Sequence, residues 1–367
     1  MIYIDNAATT KRKPIGVIFS AVNEILHPAN AGRGGHKASI RTALKIEKVR
    51  SIIEEKFFEG NVIFTKNCTE ALNLAICGTK LYGQVVTSVY EHNSVLRTLR
   101  RKEKEGKIKL KIIYPENGDL LPQLKLALKE KTSMAVFSGM SNVTGEKIDI
   151  SRLAETVKKM SNAVFVADLA QSAGHLDFDY TNVDIITCSG HKGLHGLQGS
   201  GFMLAKKNLV FEPLVTGGTG TSGNNLDAPK EIPEGLEAGT LNAIGIVSLG
   251  KGIEYTFKHK NSIQKRLIRY TKKFSEGLKK IDNVIVYSAE NGIVLCNVLN
   301  KTSEETADLL SVKYGICVRG GIHCAPLIHI KTGTEKSGAV RFSFGINNNF
   351  LHVLYALFAM KKIAQTD

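Results

Sequence analysis

The sequence predicts an α/β protein with a mostly parallel sheet, because short apolar runs alternate with helical patterns over the first two-thirds of the chain. The predicted strands are Val62–Phe64, Val85–Thr87, Lys111–Ile113, Met134–Phe137, Val164–Ala167, Ile185–Thr187 and Phe202–Ala205. The predicted helices between them include Leu44–Phe57, Glu70–Ile76, Ser94–Glu105 and Ile150–Met160. Ligands of such sheets bind at the carboxyl ends of the strands, so the turns there should carry the chemistry.

The last third of the chain has the pattern of a smaller α/β unit. Thr302 and Glu305 form a capping box that opens a helix ending near Val312. The other predicted elements are helices at Asn242–Lys258, Ser262–Lys280 and Asn349–Ile363, and strands near Val284–Tyr287, Ile293–Val298, Ile316–Val318 and Ala339–Phe344. The Gly-rich stretches Thr216–Asn225 and Gly320–Gly338 are predicted mobile loops.

Length and composition indicate a globular protein of enzyme size. At 367 residues the chain is long enough for about two domains. Its hydrophobic fraction of 43% and charged fraction of 23% are ordinary for globular proteins and argue against disorder, collagen and coiled coil. No stretch approaches the roughly 18 uncharged apolar residues of a membrane span. Asp5 comes too early for a signal-peptide apolar region, so we expect a cytoplasmic protein.

A net charge of +15 raises nucleic acid as a partner. Residues 251–280 hold many Lys and Arg but only two acidic residues, Glu254 and Glu276. An apolar stripe at helical spacing lies within the same segment: Ile263, Leu267, Tyr270, Phe274 and Leu278. The pattern therefore favours the solvated face of an amphipathic helix, and no aromatic-interleaved RNA-binding motif is present.

The cysteines and histidines do not form a familiar metal or disulfide pattern. The six cysteines are Cys68, Cys77, Cys188, Cys296, Cys317 and Cys324, and none forms a CxxC pair. Most should be small core residues, whereas Cys324 lies in a loop containing Gly and Pro. His191 and His195 lack the Glu of a zinc-protease helix, and the Cys317–His329 segment fits no common zinc finger. We predict no metal.

The strongest local signal is the pair of strings VADLAQSAGH (166–175) and ITCSGHKGLHG (186–196). Asp168 and Gln171 follow one predicted strand, and Ser189, His191 and Lys192 follow the next. Each residue alone has an ordinary explanation as a helix cap, a turn or a surface lysine. Together they place an acid, an amide, a hydroxyl, an imidazole and an amine where a cofactor would bind. No GxxxxGK[ST] loop is present, and the Gly-rich run at 190–201 does not fit GxGxxG.

The SGHK string after a DxxQ strand resembles the pyridoxal-phosphate (PLP) site of the class V aminotransferase family, and within it the cysteine desulfurases and selenocysteine lyases. Further matching strings follow in family order: YIDNAATT (3–10), FTKNCTEALNLA (64–75), YEHNS (90–94), SNVTGE (141–146), EAGTLN (237–242), RGGIHCAPL (319–327) and VRFSFG (340–345). The resemblance implies a PLP-dependent transferase of fold type I. It also implies a large PLP-binding domain at residues 13–258, and a small domain from residues 1–12 and 259–367 that carries the Cys324 loop and Arg341.

The resemblance also assigns roles around the cofactor. Lys192 would form the Schiff base, Asp168 would keep the pyridine nitrogen protonated, and Gln171 would bind the ring's phenolic oxygen. His92 would stack on the ring and is a candidate for proton transfer. The phosphate ligands would be Thr69, Ser189, His191 and, from the neighbouring subunit, Thr240. A shared site of this kind implies a homodimer.

Substrate binding is assigned to two further residues by the same resemblance. Arg341 would pair with the substrate carboxylate, a contact that suits a planar guanidinium, and Asn142 would contact both the substrate and the ring oxygen. The alternative to this binding role is that Arg341 is an ordinary surface residue at a strand end. The substrate would be L-cysteine or L-selenocysteine.

Cys324 decides the reaction that the resemblance implies. The string RGGIHCAP is close to the RxGHHCA motif of group II desulfurases, in which the thiol attacks the sulfur of substrate cysteine and leaves alanine and a persulfide. His323 and Arg319 are near in sequence and are expected to lower the pKa of the thiol. Cys324 and Arg341 are only 17 positions apart, so a sulfur acceptor protein or reductant must come to the site.

Three positions depart from the family pattern, and other functions stay open. Cys68 stands in the phosphate turn, where it puts a phosphate contact in doubt. Leu194-His195-Gly196-Leu197 stands where the family often has Tyr-Gly-Pro, and Ile322 replaces the first His of the reactive-cysteine motif. A selenocysteine lyase has the same residues, whereas other class V enzymes would not need Cys324. A non-catalytic binding module for RNA or an acidic partner would bind in a salt-dependent way that Lys192 does not affect.

Overall fold

Seven strands form a mostly parallel central sheet in the computed structural model, which describes residues 1–32, 34–220 and 225–365. In chain order they are β2 (Asn61–Thr65), β3 (Gln84–Ser88), β4 (Lys109–Ile113), β5 (Thr132–Ser138), β6 (Val164–Asp168), β7 (Ile185–Ser189) and β8 (Gly201–Ala205). Their spatial order is β2-β8-β7-β6-β5-β3-β4, and β8 runs antiparallel to both neighbours. All seven predicted strands lie within these, so the predicted α/β fold is confirmed.

Helices cover both faces of this sheet, which explains why its central strands are continuous apolar runs. The helices before β7 are α1 (Ile15–Leu26), α2 (Lys37–Lys56), α3 (Cys68–Cys77), α4 (Asn93–Lys104), α5 (Leu121–Ala127) and α6 (Ile150–Met160). The side chains of Asn67, His92 and Asp149 accept backbone N–H groups at the starts of α3, α4 and α6. The sequence did not predict α1 or α5.

A smaller antiparallel sheet follows in the last third of the chain. Its strands β9 (Val284–Glu290), β10 (Ile293–Val298) and β12 (Val340–Ser343) lie in the order β12-β10-β9. A short parallel pair joins the two ends of the chain, β1 (Ile2–Tyr3) with β11 (Ile316–Cys317). The helices here are α8 (Ser303–Tyr314), α9 (Pro326–Thr332) and α10 (Phe350–Ala364), and the predicted capping box at Thr302 is present.

Two predictions for the last third of the chain are wrong. The two long predicted helices are one continuous helix, α7 (Ala243–Leu278). Residues 259–261 contain no Pro or Gly, and His, Lys and Asn cost a helix less than about 1 kcal/mol each, so packing at both ends keeps α7 unbroken. The expected loop Gly320–Gly338 contains α9. The other expected loop falls partly on residues 221–224, which lie outside the described residues.

Three large apolar clusters build the protein around these elements. One packs a face of the central sheet against α2 and the first half of α7, and another packs the opposite face against α3 and α4. The third contains Ile4, Phe274, Phe342 and Met360. The predicted domain boundary at residues 258/259 falls inside α7 and stays a prediction. None of the helices in the described residues combines the length and apolar composition needed to cross a bilayer.

We predict that Phe274→Ala destabilises the protein by about 3–5 kcal/mol, because this ring is fully buried and its loss leaves a cavity. Its ring centroid lies 4.7 Å from that of Phe342 and 5.5 Å from that of Phe344. Urea unfolding measures the change. Ile268→Ala on the same helix is the control, because Ile268 is half-exposed and its loss should cost less than about 1 kcal/mol. Equal effects of the two substitutions would contradict the packing described.

Candidate active site

A cavity of about 80 Å³ lies where β5, β6 and β7 end. Its walls include eight residues predicted for a cofactor site: Thr69, His92, Asn142, Asp168, Gln171, Ser189, His191 and Lys192. The strand register brings them together, since Ser138 pairs with Asp168 and Asp168 with Thr187 on the neighbouring strands. Among the predicted residues, Thr240, Cys324 and Arg341 lie outside this lining.

Lys192, which is half-buried, and Asp168, which is buried, bring groups of opposite charge to this cavity. Burial lowers the pKa of the Lys192 amine, and the Asp168 carboxylate partly opposes that effect. Burial likewise raises the pKa of Asp168, although the Ala170 N–H donates to its Oδ1 at 2.8 Å. A lysine with a lowered pKa keeps more of its amine in the nucleophilic, unprotonated form.

Cys68 faces Asp168 from below the cavity. Its Sγ lies 3.4 Å from Asp168 Oδ1 and 3.5 Å from Thr187 Oγ1. Burial, followed by the charge of Asp168, raises the pKa of the thiol well above its usual value. Cys68 is therefore a protonated hydrogen-bond donor to the carboxylate. The sequence flagged this position only as a doubtful phosphate contact and gave no sign of the carboxylate contact.

The hydrogen bonds of His92 fix its neutral tautomer. The N–H of Ser94 donates to His92 Nδ1 at 3.1 Å, so Nδ1 carries the lone pair and Nε2 carries the hydrogen. The Ser94 hydroxyl lies 2.8 Å from this Nδ1 and 2.8 Å from the Thr69 hydroxyl. Burial and the positive charge of Lys192 lower the pKa of His92 to about 4. His92 is thus an uncharged ring at neutral pH.

Thr240 stands apart from the other predicted phosphate ligands. It is exposed and lines a separate cleft with Thr65, Lys66, Gly199 and Asn242. Within one chain, therefore, Thr240 does not meet Thr69 or the Lys192 cavity.

Cys324 lies on a tight, hydrogen-bonded turn beside the cavity. His323 and Cys324 both have left-handed backbones, with φ of 53° and 58°, a conformation that costs non-glycine residues of order 1–3 kcal/mol. The Asn142 side-chain amide donates to the His323 carbonyl at 2.8 Å, and the Asn93 N–H donates to the Cys324 carbonyl at 2.7 Å. These bonds hold the strained turn against two residues that flank or line the cavity.

The expected assistance of the thiol by His323 is contradicted by the hydrogen bonds of that ring. His323 Nε2 donates to the Arg319 carbonyl at 3.1 Å, and its Nδ1 lies 3.3 Å from His329 Nε2. Burial and the charge of Arg341 lower the pKa of His323 to about 2, so it supplies no positive charge. Arg319 does contact the thiol, with Nη2 at 3.5 Å from Cys324 Sγ.

Arg341 is buried and anchored from two sides. Its Nη1 donates to the Asn142 carbonyl and its Nη2 to Asp5 Oδ1, both at 2.9 Å. Its Nε is buried with no partner. Arg341 is thus a core residue held beside Asn142, and the alternative of a surface arginine is wrong. Asp5 stands in the quoted string YIDNAATT, but nothing in that string shows which residue it would pair with.

Comparison with known proteins gives the family. The model of the class V aminotransferases matches residues 2–354. The chain belongs to the class V aminotransferase family. Members of this family use pyridoxal phosphate.

Relatives of this class V aminotransferase carry one recurring name. A probable cysteine desulfurase of Pyrococcus abyssi is 32% identical over 100% of this chain and 95% of its own length. Another from Methanothermobacter thermautotrophicus is 30% identical over 95% of this chain and 90% of its own. The apo structure of a cysteine desulfurase from Thermococcus onnurineus has a TM-score of 0.91 at 30% identity, covering 99% of this chain and 94% of that one.

The residues of this class V site fit PLP. Asn142 Oδ1 and His191 Nδ1 on the cavity wall, like Arg341 Nε beside it, are buried polar atoms without partners. Such atoms cost free energy unless a ligand satisfies them. Lys192 supplies an amine for an aldehyde, and Asp168 a carboxylate for a ring nitrogen. The described residues bring no three His, Cys, Asp or Glu side chains together as metal ligands.

We predict that the cofactor-free protein loses stability as the pH falls from 6.5 to 5. Burial lowers the pKa of His92, His175 and His191 from 6.5 to about 4 and that of His195 to about 3. In this range the unfolded histidines bind protons and the folded ones do not, so acid favours unfolding. Urea unfolding at several pH values measures the slope.

His195→Asn is the informative variant for this pH dependence, because an amide keeps a donor for Thr256 but does not titrate. The slope of the free energy of unfolding against pH should fall by up to about 1.4 kcal/mol per pH unit, the value for one proton. An unchanged slope would show that His195 also titrates normally when folded.

Proposed function

We propose that the protein is a PLP-dependent cysteine desulfurase that converts L-cysteine to L-alanine and carries the sulfur as a persulfide on Cys324. The observation that carries the proposal is the position of Cys324, held by Asn142 and Asn93 beside the cavity that Lys192 and Asp168 line. The names of full-length relatives at 30% and 32% identity support the same activity.

The bound cofactor would act as an electron sink for the substrate. The protein's part would be to hold it: Lys192 would provide the amine, Asp168 would keep a ring nitrogen protonated, and Gln171 and Asn142 would bind the ring substituents. His92 packs as a neutral ring whose Nε2–H is a donor. The Thr69 and Ser189 hydroxyls and His191 serve the phosphate, with the start of α3 beside them.

Arg341 would bind the substrate carboxylate through its unpartnered Nε edge while Asp5 and Asn142 hold the guanidinium in place. Cys324 would then attack the substrate sulfur. A bond forms between the two sulfurs, the carbon–sulfur bond of the substrate breaks, and the substrate carbon takes up a proton to become alanine. The Arg319 guanidinium is placed to hold a sulfur anion at Cys324.

A homodimer with a shared active site is part of the proposal. Thr240 is exposed and lines a cleft that is separate from the Lys192 cavity of the same chain, as expected of a residue that serves a neighbouring subunit. An apolar surface on the same part of the fold supports an interface. Its exposed residues are Ile15, Ile18, Phe19, Val22, Ile25 and Leu26 on α1, and Ile40 and Leu44 on α2.

The acceptor and the compartment also stay proposals. The turn that holds Cys324 leads directly into α9. We propose that a sulfur acceptor protein approaches Cys324 at this turn. The net charge of +15 would favour an acidic acceptor. All six cysteines are free, as expected in the reducing cytoplasm.

Alanine release from L-cysteine and from L-selenocysteine tests the reaction. We expect the holoenzyme to release alanine from L-cysteine, Cys324→Ala to lose this activity, and Lys192→Ala to lose activity with both substrates. Cys317→Ala, which replaces another partly buried thiol, is the matched control and should stay active. Selenocysteine turnover that survives in Cys324→Ala would identify a lyase, and no alanine from either substrate would contradict both functions.

We predict that Phe19→Lys shifts the protein from a dimer to a monomer, because it places a charge in the apolar α1 surface proposed as the interface. The Phe19 side chain is 66% exposed in the single chain. Light scattering after gel filtration measures the mass. Leu351→Lys is the control, since it adds the same charge at an exposed apolar position on α10. Cofactor affinity should fall together with the dimer mass. A wild-type monomer that retains PLP fully would contradict the role of Thr240.

A further inference from the structure

A second cavity lies on the other side of Lys192 from the proposed cofactor site. It measures about 20 Å³, enough for one water-sized group. Lys192 and Gln171 line both cavities and so separate them. The other polar residues on the wall of the second cavity include Asn6, Thr10, His175 and His195.

Asn6 presents an acceptor that has no donor. Its Nδ2 donates to the Ser343 carbonyl at 3.0 Å and to Asn348 Oδ1 at 3.2 Å. Turning the amide over would set oxygen against two acceptors, so this orientation is fixed. Asn348 is fixed in turn, because its Oδ1 accepts the Gly345 N–H at 2.7 Å. Asn6 is 6% exposed, and its Oδ1 is buried without a partner.

His175 presents a second such atom. Its Nδ1 is buried without a partner. Burial lowers the pKa of the ring to about 4, so one ring nitrogen carries a lone pair at neutral pH. The ring lies against the residue that follows Lys192, because a Cβ on Gly193 would come within 3.2 Å of His175 Nε2.

The neighbouring donors on this wall are already used. The Thr10 hydroxyl donates to the His191 carbonyl at 3.0 Å, and Gln171 Nε2 donates to the Ala7 carbonyl at 2.9 Å. The Thr256 hydroxyl donates to the Gly193 carbonyl, so His195 Nδ1, 2.9 Å from that hydroxyl, must itself be the donor to it. Asn6 Oδ1 and His175 Nδ1 therefore remain acceptors without a donor on the described wall of this cavity. A buried acceptor without a donor is unfavourable unless another group supplies the hydrogen bond.

We propose that this cavity is a receiving site for the Lys192 amine, which donates to Asn6 Oδ1 and His175 Nδ1 when the amine is released from the cofactor. The inference rests on the proposed function, in which the substrate amine replaces Lys192 at the cofactor aldehyde carbon. The carbon–nitrogen double bond to Lys192 breaks as the one to the substrate forms, and two protons pass from the substrate nitrogen to the Lys192 nitrogen. The cavity is large enough for one water molecule while Lys192 is bonded to the cofactor.

The test compares His175→Leu, which removes the acceptor, with His175→Gln, which keeps one. The holoenzyme is mixed with L-alanine, and displacement of Lys192 is followed by the cofactor absorbance in a stopped-flow instrument. We expect displacement to slow about tenfold in His175→Leu, which has no acceptor, and to stay within about threefold of wild type in His175→Gln, which keeps one. His27→Leu, an exposed histidine at the end of α1, is the control.

Displacement at the wild-type rate in His175→Leu would overturn the receiving site. A crystal structure of the wild-type holoenzyme with L-alanine is the second measurement, should His175→Leu fail to fold. It should show Lys192 Nζ within hydrogen-bond distance of Asn6 Oδ1 and His175 Nδ1, and Nζ placed elsewhere would also overturn the proposal. A wild-type protein that binds no PLP would instead contradict the proposed function itself.

Discussion

The burial of the Lys192 amine with the Asp168 carboxylate in one cavity is the interaction on which the rest of the site depends. Neither charge is stable in such surroundings without the other or without further hydrogen bonds. The sheet supplies both requirements, because Asp168 ends β6 and Lys192 follows β7 in the neighbouring position. The Ala170 N–H and the Cys68 thiol then hold the carboxylate in place.

The first ten residues of the chain connect this pair to the substrate side of the site. Asp5 bonds to Arg341, Ala7 accepts from Gln171, and Thr10 donates to the His191 carbonyl. Asn6 joins the same segment to Ser343 on β12. One N-terminal segment therefore positions groups from both sheets, and a change in it would disturb cofactor and substrate residues together.

The strands and most of the site could be predicted because each depends on local sequence. A central strand such as β6 is a continuous apolar run up to its last residue, and polar residues at strand ends, such as Asp168, are visible in the chain. The continuity of α7 depends instead on tertiary packing at both of its ends, which no local pattern records. The same holds for side-chain direction: the sequence shows Cys68, Asp5 and His323, but only the fold shows that they face Asp168, Arg341 and His329.

The unbroken α7 has a mechanical consequence. At ~1.5 Å per residue its 36 residues extend about 54 Å. Its first half packs against the cluster on one face of the central sheet, and its second half packs against the cluster that contains Phe274 and Phe342. A continuous helix of this length resists bending at its middle, so the two sheets should keep their spacing during turnover. A sulfur atom bound at Cys324 would then stay at a constant depth in the protein. The rate of its transfer would depend on how often a carrier collides with the surface beside Cys324.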